Sequence, residues 1–298
     1  MTDELVLITG VSGHIGFRVL AETLKAGYRT RTVVRNASHV EKIKSAASVK
    51  PYLSQLDFAI IPDLGTNHAF DAHVDGVSYI IHVAAPQFTS TDVPITSNPP
   101  LQRTLSLPPP KEAVGPVAYV ISKVLSAQLV LDYVATTKPG YSVVNILPGT
   151  TIGRSELASD SKELMSGSNI VSLAPLIGIS LPPVHSVVSH IDDVAIAHVK
   201  ALDIDATPST IRSILPIVNT VANPDAFTWD DIVNIVKSKF PAAIKGNVLP
   251  LGGTVPKNKT LVDTNEDEKI LGIKFKTYEE AVIDLAGQFL QLAQTAGK

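Results

Sequence analysis

The sequence contains no cysteine, which excludes disulfides, a thiolate nucleophile and thiolate metal sites together. It has no excess of positive charge: the formal net charge is −3 at pH 7, which argues against nucleic acid or an anionic membrane as the main partner. No stretch approaches the roughly 18 uninterrupted apolar residues of a membrane span. The start, Met1-Thr-Asp-Glu4, has neither a basic region nor an apolar region of the kind that directs export, so the expected location is the cytoplasm. There is no internal repeat. Charged residues make up only 18% of the 298-residue chain against 45% hydrophobic, the balance of a compact soluble protein with a large core rather than a disordered one.

What is present begins at once. Leu5-Val-Leu-Ile8 runs into Thr9-Gly10-Val-Ser-Gly13-His-Ile-Gly16, followed by apolar residues at helical spacing: Phe17, Val19, Leu20 and Leu24. A strand, a turn with glycines three apart and a helix is the arrangement that grips a pyrophosphate. Gly10 permits the tight turn, Gly13 lets backbone N–H groups approach the phosphates, and Gly16 lets helix and strand pack closely. Ser12, His14 and Ile15 lie in the same turn and are counted with it.

Strands and helices then alternate, as a parallel sheet requires. Helices are expected over about 15–26 and 38–47, strands over 31–34, 58–61 and 79–83, and a short helix around 69–74. Between Gln87 and Val117 the pattern breaks at seven prolines, and Leu101–Leu107 is the only strand-like piece. A crossover between parallel strands needs a helix of several turns; the central helix and fifth strand are not recognisable, and a Pro-rich segment stands in their place. Regular structure resumes with a helix over about 118–136 and a strand over 141–147. Residues 155–172 read as loop, 187–190 as a strand, and the segment after it as a helix capped by Asp192 or Asp193. Residues 211–218 read as the last strand of the sheet. Thr228-Trp-Asp-Asp231 resembles a capping box opening a helix through Val236. A final helix over about 278–294 carries Ala281, Val282, Leu285, Phe289 and Leu292 on one face.

Tyr119-Val-Ile-Ser-Lys123 places a phenol and an ammonium four apart on one helix face. A cation beside a tyrosine favours the phenolate and brings its pKa toward neutrality. Such a pair can hand a proton to a carbonyl oxygen while hydride arrives from a nicotinamide. Together with the glycine turn, it makes the chain resemble the extended short-chain dehydrogenase/reductases, and among them the dihydroflavonol-reductase-like carbonyl reductases, which include fungal aldehyde and ketone reductases. Val33-Val34-Arg35 with Lys42, Pro62-Asp63-Leu64, His82-Val-Ala-Ala-Pro86 and Asp263-Thr…Glu268-Lys-Ile-Leu-Gly272 carry the same resemblance.

The resemblance implies that Tyr119 is the catalytic acid and that Lys123 holds the ribose and sustains the tyrosine. Arg35 stands where an acidic residue would bond a ribose 2′-hydroxyl, and a guanidinium there suits a 2′-phosphate. Arg35 and Lys42 therefore point to NADP(H). Asp63 and Leu64 would flank the adenine, Ala84 and Ala85 the ribose, and Pro148 and Gly149 the nicotinamide end. The serine or threonine that bonds the substrate carbonyl in this family has no clear counterpart. Ser106 is the best substitute by position, with Ser90, Thr91 and Ser97 as rivals. The resemblance implies a possible homodimer, since a helix-pair dimer is common in the family, but the helix it would use is the one not recognisable here. Eight histidines do not form a metal motif; no two lie four apart on one helix with a carboxylate partner. His82 sits in a buried-looking strand.

The expected fold is α/β, a doubly wound parallel sheet of the Rossmann type with a smaller C-terminal substrate lobe. Residues 1–153, rejoined by 184–219, would bind the dinucleotide; 154–183 and 220–298 would form the lobe, apolar at Ile177, Ile179, Leu181 and Val184. The expected function is NADPH-dependent reduction of an aldehyde or ketone of a small organic substrate to an alcohol. A nucleotide-sugar epimerase or dehydratase is the alternative enzyme, with only Arg154 and Lys162 as cations for a diphosphate. A non-catalytic NADP(H)-binding protein is the alternative outside catalysis, because the carbonyl-binding serine is not recognisable.

Overall fold

Strand β1 (Leu5–Thr9) is buried along its whole length, which explains why it reads as an unbroken apolar run: a strand covered on both faces needs no polar alternation. Val6 and Ile8 point to one face, where they meet Phe17, Val19, Leu20 and Leu24 of helix α1 (His14–Lys25). Leu7 points to the other, against Val33, Ala59 and Ile61. The computed structural model describes residues 3–85, 115–204, 208–218, 227–245 and 249–296.

β1 lies inside a four-stranded parallel sheet with β2 (Arg29–Val34), β3 (Leu56–Ile60) and β4 (Val77–His82), in the order β3-β2-β1-β4. The chain steps outward from β1 to β3 and then returns to the far side of β1. The order reverses between β1 and β4, and in open sheets of this kind the crevice beyond the strand ends at that reversal is where ligands bind. Helix α2 (Ala37–Lys44) follows β2. This parallel sheet, with a helix-packed apolar core on one face and a second apolar cluster on the other, defines a Rossmann-like α/β fold.

The chain divides into two compact units. The larger comprises residues 1–84, 146–204 and 214–298; the smaller comprises 85–145 and 205–213. Within the larger unit, β6 (Thr150–Ile152) pairs in parallel with β8 (Val188–His190), and β7 (Val184–His185) with β10 (Lys257–Asn258). A second core gathers Ile152, Leu173 and Val188 with Trp229 and the last helix, α7 (Tyr278–Ala296). As expected, Ala281, Val282, Leu285 and Phe289 line the inner face of that helix. Tyr278 Oη donates to the Trp229 carbonyl at 3.0 Å, so the phenol is buried with its hydrogen bond satisfied.

The smaller unit contains helix α3 (Gly115–Thr137). It buries Ala118, Ile121, Leu125 and Val134 but exposes Val120, Leu129, Leu131 and Tyr133. Its segment Ala118–Thr137 is long and apolar enough, by composition, to cross a bilayer, although Lys123 and Asp132 stand within it, each costly at a membrane centre. β5 (Val143–Ile146) pairs with β9 (Ile211–Ile214).

Several local expectations are corrected. Residues 155–172 are not simply loop but carry α4 (Ser161–Leu164) and the start of α5 (Asn169–Leu173). Asp160 caps the first of these by accepting the Glu163 N–H at 2.7 Å, and Leu164 and Leu173 anchor both in the core. The helix after β8, α6 (Ile191–Lys200), is capped not by an aspartate but by His190, whose side chain accepts the Asp192 N–H. Around 69–74 only a single 3-10 turn forms, Asp71–His73. The strand expected over 211–218 ends at Ile214. The expectations for the central Pro-rich segment fall within 86–114, outside the described residues.

Candidate active site

The glycine turn is held by contacts that leave no room for side chains. Gly10 has φ +79°, and a Cβ there would lie 2.7 Å from the Ala84 nitrogen. A Cβ on Gly16 would lie 2.1 Å from the Gly10 carbonyl oxygen. Gly13 donates its N–H to the same oxygen at 3.0 Å. Gly13 is the N-cap of α1 and makes no side-chain cap bond, and the first turn of the helix holds no acidic residue. Its first N–H groups therefore present the positive end of the helix to whatever anion sits at the turn. Thr9 Oγ1 accepts the Ala84 N–H at 3.2 Å and shares a hydrogen bond of 3.0 Å with His82 Nδ1, tying the ends of β1 and β4 together across the reversal point. His82 is exposed there rather than buried; the last residue of an edge-facing strand end reaches solvent.

Arg35 follows β2 directly, exposed and without an ion pair to any described residue. Lys42, near the end of α2, has its Nζ 3.2 Å from Glu163 Oε2. Asp63 Oδ1 accepts the Gly65 N–H at 2.9 Å, and Leu64 packs on the small cluster of Leu7, Val33, Ala59 and Ile61. Gly149 donates to Ser189 Oγ at 2.9 Å, and a Cβ there would lie 2.5 Å from the Val187 carbonyl oxygen. Its smallness is thus demanded by β8 packing, whatever else it does; Pro148 beside it is half-buried.

His14 and Ile15 are half-buried and Ser12 exposed. His14 Nε2 lies 3.1 Å from the Arg154 carbonyl oxygen. A carbonyl only accepts, so Nε2 carries the proton, and burial pushes the ring's pKa down, favouring the neutral form. Arg154 N–H in turn donates to Asp284 Oδ2 at 3.2 Å, and Asp284 Oδ2 stands 3.8 Å from His190 Nε2. Arg18 and Lys276 both bond Asp192 at 2.6 Å. Burial alone would raise the Asp192 carboxyl, but these two hydrogen bonds hold it down at about 2. Helix α1 is thereby pinned to α6 by a salt bridge that starts one turn from the glycine turn.

In the smaller unit, Tyr119 and Lys123 do share a face of α3. Lys123 Nζ is 5.5 Å from the centre of the Tyr119 ring, and Tyr119 is 43% exposed. Ala85, exposed, belongs to the same unit. Ser106, with its rivals Ser90, Thr91 and Ser97, lies outside the described residues. Ile177, Leu181 and Val184 pack against the second core instead of facing outward; of the four apolar lobe residues only Ile179 is exposed. His198 and His185 are hydrogen-bonded, to the Val194 carbonyl and to Thr260. Sequence reasoning missed Glu163 and Asp284. Asp160-x-x-Glu163 was a readable capping signal, but nothing local points either carboxylate toward residues more than a hundred positions away.

The glycine turn, the reversal of strand order beside it and the helix that follows are those of a Rossmann-like α/β protein. No protein-family profile matches the chain. It is similar to the ketoreductase CTB6 of Cercospora nicotianae, 29% identical, covering 99% of this chain and 97% of that one. That alignment runs over 353 positions, more than this chain has residues, so the relative carries segments with no counterpart here. The NAD-dependent epimerase/dehydratase FUM13 of Gibberella moniliformis is 27% identical over 97% of this chain and 96% of its own. In fold, the chain resembles Gre2 from Candida albicans, solved in complex with NADPH: the TM-score is 0.70 at 18% identity, with 97% of this chain and 99% of that one covered. Over nearly its whole length the chain is thus similar to proteins named ketoreductase and NAD-dependent epimerase/dehydratase, and it shares the fold of Gre2.

Proposed function

We propose that this protein is an NADP(H)-dependent oxidoreductase that reduces an aldehyde or ketone of a small organic molecule to the alcohol. The observation that carries the reading is Arg35: a guanidinium at the end of β2 that no described carboxylate neutralises, where discrimination against a 2′-phosphate would require an acid. The residues present fit the dinucleotide. Gly10 and Gly16 keep the turn tight, since a Cβ on either would collide with neighbouring backbone, and the first turn of α1 carries no acidic group to repel a pyrophosphate. Arg35 and Lys42 would take the 2′-phosphate, Gly10 to Gly16 the pyrophosphate, Asp63 and Leu64 the adenine, and Ala84, Ala85, Pro148 and Gly149 the remainder. When bound, the nicotinamide supplies hydride.

The chain's own part is the proton. Tyr119 Oη donates to the substrate oxygen as charge develops on it, and Lys123 stabilises the phenolate that remains. The ketoreductase name of one relative supports a carbonyl substrate. The epimerase name of another supports a nucleotide-sugar reading, but of the two cations expected to meet a diphosphate, Arg154 and Lys162, the first lies against Asp284 at 3.8 Å.

The test begins with thermal melts with NADPH and with NADH, where nucleotide at 100 times its dissociation constant should add about 2.7 kcal/mol. NADPH should stabilise more than NADH. Aldehydes and ketones are then screened by loss of nicotinamide absorbance. Tyr119→Phe should lower turnover by about 100-fold or more while leaving the NADPH melt shift in place. Equal activity in wild type and Tyr119→Phe would overturn the catalytic assignment. Turnover of a nucleotide sugar without net nucleotide oxidation would replace it with the epimerase reading.

A further inference from the structure

We infer that Glu163 is a specificity-determining residue for the nucleotide: a fixed carboxylate that competes with the 2′-phosphate for Lys42. The inference rests on the proposed function, in which Arg35 and Lys42 receive that phosphate.

Three observations carry it. Lys42 Nζ lies 3.2 Å from Glu163 Oε2, with both side chains 45% exposed. The same Oε2 accepts the Ser159 N–H at 2.9 Å and the Ser159 hydroxyl at 3.2 Å, while the Glu163 N–H is itself held by Asp160. The carboxylate is thus anchored in its own loop by bonds that do not involve Lys42. Its loop is also tied to the segment just past α2, where Glu156 Oε1 accepts the Ser48 N–H at 2.9 Å.

The consequence follows from the asymmetry of the pair. Lys42 is a flexible cation on an exposed helix end, and an exposed ion pair of this kind holds it only weakly. Lys42 can therefore leave, but Glu163 cannot follow it. A phosphate that recruits Lys42 must both displace it from Glu163 and lie near a carboxylate that stays where it was. Lys42 then adds less to 2′-phosphate binding than its charge would suggest, and Arg35, which has no such partner among the described residues, carries the preference. The hydrogen bonds from Ser159 and Lys42 hold the Glu163 carboxyl below its ordinary range, so it is charged at neutral pH.

The experiment measures dissociation constants of NADP⁺ and NAD⁺ by calorimetry for the full chain and for Glu163→Gln, Lys42→Gln, Arg35→Gln and the Glu163→Gln/Lys42→Gln pair. Glutamine keeps an oxygen to accept from Ser159. Glu163→Gln should tighten NADP⁺ about two- to fivefold, the range of exposed charge pairs, and leave NAD⁺ unchanged. The gain should shrink in 0.5 M salt and shrink again when Lys42 is also Gln. If Glu163→Gln changes both nucleotides alike, or neither, while Lys42→Gln and Arg35→Gln still weaken NADP⁺ alone, the role of Glu163 is overturned and the phosphate site stands. If neither cation variant alters the ratio of NADP⁺ to NAD⁺, the phosphate site itself is wrong.

Discussion

His190 makes the stability of this protein depend on pH in a way that one substitution should reverse. The ring is 2% exposed, and its Nδ1 accepts the Asp192 N–H at 3.0 Å, which requires that nitrogen to be unprotonated. Burial, followed by the charge of Lys276, pushes its pKa down to about 4 from an ordinary 6.5. The unfolded chain therefore takes up a proton near pH 6.5 that the folded chain refuses until about pH 4. Stability contributed by His190 is present above pH 6.5 and is lost as pH falls through that window, by about 3 kcal/mol in all. Asp193, 3% exposed on the same helix, acts in the opposite sense. Burial pushes its carboxyl up to about 6 from 3.8, so the folded chain binds a proton first and gains about 3 kcal/mol as pH falls from 6 to 3.8.

In the wild type these two terms largely offset each other between pH 6 and 4. Asparagine at 190 can still cap α6 but does not titrate. His190→Asn should therefore leave the Asp193 term unopposed. Relative to wild type, its unfolding free energy should rise by about 3 kcal/mol between pH 7 and pH 4, whatever the offset at pH 7. Urea unfolding at pH 7, 6, 5 and 4 on both proteins measures that difference, and other carboxylates cancel from it. A difference that stays constant with pH would refute the argument.

Two further outcomes are expected. Gly16→Ala places a Cβ 2.1 Å from the Gly10 oxygen; it should cost about 1–3 kcal/mol of stability and weaken NADPH binding about tenfold or more as the turn opens, read by nicotinamide fluorescence, and an unchanged affinity would mean that this turn is not the nucleotide site. Thr32→Val should stabilise the protein, since Thr32 Oγ1 is buried without a hydrogen-bond partner among the described residues. Removing an unsatisfied hydroxyl at nearly constant volume should add about 1 kcal/mol, or about 2–4 °C in Tm, and scanning calorimetry that shows a loss would mean the hydroxyl is satisfied after all.

The strand, turn and helix at residues 5–25 were legible in the sequence because everything that shapes them is local. Three glycines meet backbone within a few residues or across the neighbouring strand end, and the apolar spacing that follows can form only a helix packed on that strand. The shared face of Tyr119 and Lys123 was equally legible, since four residues on a helix return to the same side. The inner face of the last helix could be read from its period. The cap of α6 could not: an aspartate in the first turn and a histidine before it are both competent by sequence, and β8 decides between them by burying the imidazole where it can reach the Asp192 N–H. The helices within 155–173 escaped notice because four or five residues carry no period to read. The lobe residues Ile177, Leu181 and Val184 show only that they are apolar; which way they face was decided by the core that formed around Trp229. Local backbone preference and side-chain period thus determined the glycine turn and the Tyr119–Lys123 pair. Tertiary structure alone brought Glu163 to Lys42 and Asp284 to Arg154, because a charge finds its partner through space, and sequence order carries no record of which distant segments will lie 3 Å apart.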